Sequence, residues 1–152
     1  MSHASYLSKV FNRKEQDKAI SDIKKLIKEK ELVFDGFIVT GISGITMGSI
    51  LSRILRKDLV IVRKADDGTH SSYKVENYKH GKRYIFLDDL IASGTTYKNV
   101  KIMLSVCESD IWLYGIRLNN IKSNIIGGIM YDPMYSDTPE YWSIQKLNKK
   151  VK

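Results

Sequence analysis

Tyr84-Ile85-Phe86-Leu87-Asp88-Asp89-Leu90-Ile91-Ala92-Ser93-Gly94-Thr95-Thr96 is the stretch on which the reading of this chain turns. Four apolar residues in a row predict a strand buried on both faces, and two adjacent carboxylates stand where that strand should end. Ala92 to Thr96 then form a short loop of small residues leading into a helix. A strand exit followed by an N-capped helix would explain the turn. It does not explain the acids, because like charges side by side repel and bring no structural gain. Carboxylates accept hydrogen bonds from sugar hydroxyls. A small-residue loop opening a helix offers N–H groups, hydroxyls and a positive dipole end to a phosphate. Read in order, these parts would hold a ribose that carries a 5-phosphate.

Outward from this stretch, strands and helices alternate. Asn12 to Lys30 predicts an amphipathic helix with Ala19, Ile20, Ile23, Leu26 and Ile27 on one stripe, and Asn12 with Glu15 gives a capping-box-like start. Phe37-Ile38-Val39 predicts a short strand, Thr40 to Gly44 a turn, and Met47 to Arg56 a helix burying Ile50, Leu51, Ile54 and Leu55. Leu59 to Val62 is a second buried strand. The polar connection from Arg63 to Lys82 is far longer than usual. After the motif the pattern predicts a helix from Thr96 to about Val106 and a fourth strand at Ile111 to Leu118. Such alternation, with continuous apolar strands, predicts an α/β fold: a central parallel sheet flanked by helices on both faces.

The 152 residues suit one domain with a real core. No apolar run approaches the roughly 18 residues of a membrane span, and the N-terminus lacks the apolar core of a signal peptide. Cys107 is the only cysteine, which excludes an intrachain disulfide. Its neighbours Val100, Met103, Leu104 and Val106 mark it as a small core residue rather than a nucleophile. A cytoplasmic protein is expected. The formal charge of +8 raises nucleic-acid binding, a reading that rests on charge alone. Much of the excess lies in the N-terminal helix (Lys14, Lys18, Lys24, Lys25, Lys28, Lys30) and the tail (Lys146, Lys149, Lys150, Lys152). In the helix the cations alternate with Glu15, Asp17, Asp22 and Glu29, as on a solvated face. A basic field also steers a polyanionic substrate. His3, His70 and His80 lack the spacing of a zinc site.

The motif resembles the binding motif for 5-phosphoribosyl 1-pyrophosphate (PRPP) of the type I phosphoribosyltransferases. That motif runs from an apolar strand through two acids and two apolar residues to Ala/Asp/Thr-Ser/Thr-Gly-x-Thr. It fits all 13 residues from Tyr84 to Thr96 without a gap. Two further loops match the family. Gly41, Ile42, Ser43 and Gly44 fall where the family binds pyrophosphate, although many members carry Arg or Lys there and this chain has Ile42 and Ser43. Taken alone, a Gly-x-x-Gly turn is also an ordinary tight strand-to-helix turn. Val62-Arg63-Lys64 looks like the opening of the flexible catalytic loop in orotate and adenine members. That loop continues here through Asp66-Asp67-Gly68-Thr69-His70. Hypoxanthine-guanine members usually have Asp where this chain has Ala92, so the pattern from Val62 to Thr96 sits with the orotate and adenine group.

The resemblance implies a Rossmann-like three-layer core over about 12–120 of a single 1–152 domain, with a small hood from 1–12 and 121–145. It implies a Mg2+-dependent transferase that moves the phosphoribosyl group of PRPP to a nitrogenous base and releases pyrophosphate. Asp88 and Asp89 would hold the ribose and, mostly through substrate and water, the metal. Ala92, Ser93, Gly94, Thr95 and Thr96 would bind the 5-phosphate. Gly41 to Gly44, Arg63, Lys64 and His70 would meet pyrophosphate, with Lys64 the chosen catalytic cation and His70 as readily a surface residue. Tyr131 and Trp142 stand as guesses for base stacking; a cap core or a dimer contact explains such rings equally well. A homodimer is implied. The alternative is a PRPP- or nucleotide-sensing regulator of the same fold that has given up catalysis and binds nucleic acid through its basic segments.

Overall fold

The computed structural model describes residues 8–64, 74–109, 112–113, 116–117 and 124–150. After a short helix α1 (Ser8–Phe11), α2 spans Arg13–Glu29, and the Asn12 side chain caps it by accepting the Glu15 N–H at 3.1 Å. The expected capping residue is therefore the observed one. The chain continues through β1 (Gly36–Val39), α3 (Gly41–Leu55), β2 (Asp58–Val62), β3 (Val75–Glu76), β4 (Arg83–Asp88) and α4 (Thr95–Ser109). It ends with β5 (Trp112–Leu113), β6 (Ile116–Arg117), β7 (Asn124–Met130), β8 (Glu140–Ser143) and α5 (Ile144–Lys150).

Six strands form one sheet in the order β3-β2-β1-β4-β7-β8. The four central strands are parallel and the two edge strands antiparallel. Alternate residues feed two apolar layers, as the period of two requires. Phe37, Val39, Ile85, Leu87 and Ile129 face α2 and α3, meeting Ile23, Met47 and Leu51. Ile38, Val60, Tyr84, Phe86 and Met130 face the other way and meet Tyr97, Val100 and Leu104 of α4, with Trp142 and Leu147. Helices cover both faces, which is why the motif strand reads as a continuous apolar run. From β1 the chain crosses to β2 on one side; from β4 it crosses to β7 on the other. The switch point therefore lies between β1 and β4, and an open α/β sheet of this kind binds ligands at the carboxyl ends beside it.

Several expectations need correction. The strand expected at Ile111 to Leu118 is not the fourth parallel strand. Trp112–Leu113 and Ile116–Arg117 pair with each other, and β7 is the strand beside β4. Two glycines, Gly127 and Gly128, interrupt the β7 sequence and weaken its strand signal. The segment 121–145, read as part of a hood, thus contributes two strands to the main sheet. α3 begins at Gly41, not Met47, so Thr40 to Gly44 is mostly the first turn of a helix. Its buried face is Gly44, Met47, Gly48 and Leu51, which rotates Ile54 outward to 47% exposure. The long connection after β2 returns as β3, pairing Ile61 with Glu76 and Val62 with Val75. His70 and the tip of that connection lie outside the described residues.

Candidate active site at the carboxyl edge of the sheet

β4 ends in Asp88 and Asp89, which are 7% and 9% exposed. β7 fixes their backbone, since the Tyr131 N–H donates to the Asp88 carbonyl at 3.0 Å and the Asp132 N–H to the Asp89 carbonyl at 2.9 Å. The Asp89 N–H also donates to the Asp88 carboxylate at 2.9 Å. From the first turn of α3, the Ser43 hydroxyl lies 3.2 Å from Asp88 Oδ1 and 3.3 Å from Asp89 Oδ1. One residue of the Gly-x-x-Gly turn thus touches both acids of the motif, although 45 positions separate Ser43 from Asp88 in sequence.

Burial raises the Asp88 carboxyl first, and hydrogen bonding with Asp89 and the charge of Asp89 add to it; together they push it up to about 7. Two adjacent carboxylates cannot both ionise cheaply in so little water. Tyr131 completes the cluster. Its ring is 2% exposed, and its hydroxyl donates to the Ser43 carbonyl at 2.8 Å, anchoring the start of α3. Burial, then the charges of Asp89 and Asp88, raise the Tyr131 phenol, so it stays neutral as a donor.

Beside the acids, the motif loop enters α4 at Thr95. Gly94 sits at φ +81°, a left-handed conformation that suits glycine, and its carbonyl accepts the Lys98 N–H at 2.9 Å. Ser93 and Thr95 share a hydroxyl hydrogen bond of 2.9 Å, and both are exposed. Residues 90–97 line a cleft of about 100 Å³ that Asp88 also borders. Exposed hydroxyls and the N–H groups at the start of α4, of which the Thr95 N–H donates to Ser93 Oγ at 3.4 Å, surround space on the scale of a phosphate group.

On the other side, Gly41 adopts φ +71°, and Lys64 packs across it. A Cβ on Gly41 would lie 3.5 Å from Lys64 Cε and 3.6 Å from its Nζ. The ammonium group predicted to meet pyrophosphate therefore stands at the start of α3. Arg63 is held differently: its guanidinium pairs with Glu76 at 3.2 Å, and its backbone N–H donates to the Lys74 carbonyl at 2.7 Å, on the β2–β3 hairpin. Ile42 is 70% exposed at the same turn. A larger cleft of about 420 Å³ joins the three loops, with Thr40, Arg63, Lys64, Thr96, Asn99 and Met103 in its walls.

The two residues guessed for base stacking, Tyr131 and Trp142, are both buried. Tyr131 is an anchor under the acids, and Trp142, 5% exposed, packs in the α4-side core with Lys146 Nζ 4.3 Å from its ring centroid. Neither offers a free face. The role of Tyr131 had no signal in sequence, because its partner is a backbone carbonyl 88 residues away. Met134 (86%) and Tyr135 (70%) are exposed large side chains on the turn that follows β7. α1 reaches the same turn through Lys9, whose Nζ lies 3.0 Å from Asp132.

Asp88 and Asp89 are hard oxygen donors and fit a Mg2+ ion carried largely by substrate phosphates and water. No group of three or more His, Cys, Asp or Glu side chains capable of caging a metal occurs among the described residues. No helix among the described residues is long and apolar enough to cross a membrane.

Sequence comparison finds no matching family profile and no matching curated protein. Structural comparison is decisive for the fold. Adenine phosphoribosyltransferase from Saccharomyces cerevisiae superposes with a TM-score of 0.61 at 18% identity, covering 83% of this chain and 73% of that one. The adenine enzyme of Thermoanaerobacter pseudethanolicus gives 0.56 at 17% identity over 78% and 69%. Orotate phosphoribosyltransferase from Francisella tularensis gives 0.59 at 13% identity over 94% and 65%. The motif strand, its acid pair and the sheet order therefore stand in a type I phosphoribosyltransferase fold.

Proposed function

We propose that the protein is a phosphoribosyltransferase that joins the phosphoribosyl group of PRPP to a nitrogenous base and releases pyrophosphate. The observation that carries this reading is the Ser43 hydroxyl touching both Asp88 and Asp89, because it brings the pyrophosphate turn, the acid pair and the phosphate loop to one switch point. Ala92 to Thr96 receive the 5-phosphate. Asp88 and Asp89 accept hydrogen bonds from the ribose hydroxyls, which displace the Ser43 hydroxyl from that duty. The start of α3 and Lys64 face the pyrophosphate.

In the reaction a base nitrogen forms a bond to C1 while the C1–O bond to pyrophosphate breaks and the electron pair leaves with the phosphate. The ribose gains positive charge opposite the acids. Pyrophosphate gains negative charge near Lys64 and the α3 N–H groups. Positioning and fixed charge supply the rate, and no covalent nucleophile is needed. Asp88 and Asp89, together with substrate phosphates, would hold a Mg2+ ion, which would supply charge neutralisation for the leaving group. Base choice falls to the rim formed by α1 and the turn bearing Met134 and Tyr135.

A second reading has one observation behind it. Ile42, exposed where a cation is common, suits a PRPP-binding regulator that no longer drives pyrophosphate off. Pyrophosphate release from PRPP with Mg2+, assayed against adenine, hypoxanthine, guanine, orotate and uracil, separates the two. Turnover with one base supports the transferase. Tight PRPP binding without turnover on any base moves the assignment to the regulator.

A further inference from the structure

The part of the basic tail in α5 (Ile144–Lys150), which the transfer reaction leaves without a role, runs along the back of the phosphate loop. It meets that loop at three successive points. Leu147, fully buried, shares the notch over Gly128 with Ile91: a Cβ on Gly128 would lie 3.1 Å from Leu147 Cδ1 and 3.4 Å from Ile91 Cδ1. Asn148 Oδ1 accepts from the Tyr97 hydroxyl at 3.3 Å and from Lys101 Nζ at 3.2 Å, tying α5 to the first turns of α4. Lys150 lies against Gly94 itself; a Cβ on Gly94 would fall 2.9 Å from Lys150 Cβ and 3.1 Å from its carbonyl oxygen. The contacts thus mark the entry (Ile91), the apex (Gly94) and the helix start (Tyr97) of one loop. None of the three α5 residues borders the small cleft, so α5 stands behind the loop rather than inside the site.

A loop of six residues, 89–94, between a strand and a helix has little stiffness of its own. Its hydroxyls are exposed, and its apex needs a positive φ. α5 supplies the missing wall. The helix is only seven residues long, too short to persist without packing, so its order depends on that same contact. Its last turn aims a negative dipole end toward the loop, and Lys149 and Lys150 in that turn offset it. Lys150 Nζ is also 5.4 Å from the Trp142 ring centroid, which ties the turn back to β8.

We propose that α5 is a positioning element of the 5-phosphate site, and that its docking and the binding of a 5-phosphate are coupled equilibria. This rests on the phosphoribosyltransferase reading. A ligand that orders the loop must then order α5, and loss of α5 docking must weaken that ligand by the same factor.

The test uses the full chain and ribose 5-phosphate. Saturating ligand should slow amide exchange in residues 90–97 and also in 144–150. Asn148→Ala, which cuts the tie to Tyr97 and Lys101 at an exposed position, should weaken ribose 5-phosphate about five- to tenfold, within the usual range of site coupling. Asn148→Asp keeps the accepting oxygen and should restore affinity. Protection confined to 90–97 would overturn the proposal. So would Asn148→Ala binding as wild type, even with a lowered Tm, or a loss that Asn148→Asp fails to restore. A wild-type chain that binds no ribose 5-phosphate and shows no protection overturns the transferase reading as well, and so separates the two failures.

Discussion

Ser43 has one hydroxyl proton and two carboxylates within reach of it, 3.2 and 3.3 Å away. The pair is therefore under-supplied with donors, which on the proposed function the ribose hydroxyls provide. Its cost in the free protein shows as the Asp88 carboxyl pushed up to about 7 by burial and by Asp89. An unfolded aspartate titrates near its ordinary value of about 4. Because the folded value is the higher one, the native state holds this proton more tightly. Its stabilising contribution is fully present below about pH 4 and is lost as pH rises through about 7. Asp88→Asn removes the charge, keeps the shape and lets an amide donate to Asp89. At pH 8, without ligand, the variant should melt roughly 2–4 °C above wild type for about 1 kcal/mol gained, and this advantage should vanish by pH 4, while turnover is lost. A variant less stable than wild type at pH 8 would refute the account of the acid pair. Lys64 is expected to act later, as pyrophosphate gains charge. Lys64→Ala should lower kcat by an order of magnitude or more, about 2 kcal/mol for a charge-assisted contact, with a smaller change in PRPP Kd. An equal loss in both would assign Lys64 to ground-state binding alone.

At the scale of elements, the site exists because β7 and not the 111–118 stretch lies beside β4. Gly127 is where β7 admits β8. A Cβ there would overlap the Tyr141 hydroxyl and lie 2.6 Å from the Trp142 carbonyl oxygen. The hydroxyl can swing away, but the carbonyl belongs to the paired strand. Gly127→Ala should therefore destabilise the fold by about 3 kcal/mol, near the upper end for an overpacked site, and lower Tm by roughly 6–12 °C. An unchanged Tm would mean that β8 is not fixed in the sheet. The same glycines explain what the sequence left hidden. β4 was legible because a doubly covered strand must be apolar throughout, and its acids are unexplained by any structural need. α2 was legible from its stripe and its Asn12 cap. β7 was not, because close approach of Tyr141, Trp142 and Leu147 demands glycine, the residue that speaks against a strand. The start of α3 was hidden for a related reason. Its first turn faces the ligand edge, so apolar periodicity begins only at Gly44 and Met47. The ties from Ser43, Tyr131 and Asn148 span 45, 88 and 51 positions and leave no local pattern to read.

The whole molecule carries a net charge of +8, and where that charge lies decides between its two uses. α2 neutralises part of its own excess through Lys18–Asp22 at 2.7 Å and Lys25–Glu29 at 3.8 Å, so it presents mixed charge rather than a bare basic stripe. The cations of α5 pack on Trp142 beside the phosphate loop, and Lys64 lies over the start of α3. On the proposed function this charge serves a small polyanion rather than a long backbone. A ligand that binds only the native state must raise its melting temperature by mass action. PRPP with Mg2+ at about 100 times its Kd should add about 2.7 kcal/mol, or roughly 5–10 °C for a chain of this size. Ribose 5-phosphate should give a smaller shift, since it lacks the group that meets Lys64. Both shifts should shrink as salt is raised toward 1 M, because the field that gathers the polyanion is screened within about 3 Å there. A single-stranded oligonucleotide that stabilises the protein while millimolar PRPP does not would assign the charge to nucleic acid and remove the transferase reading altogether.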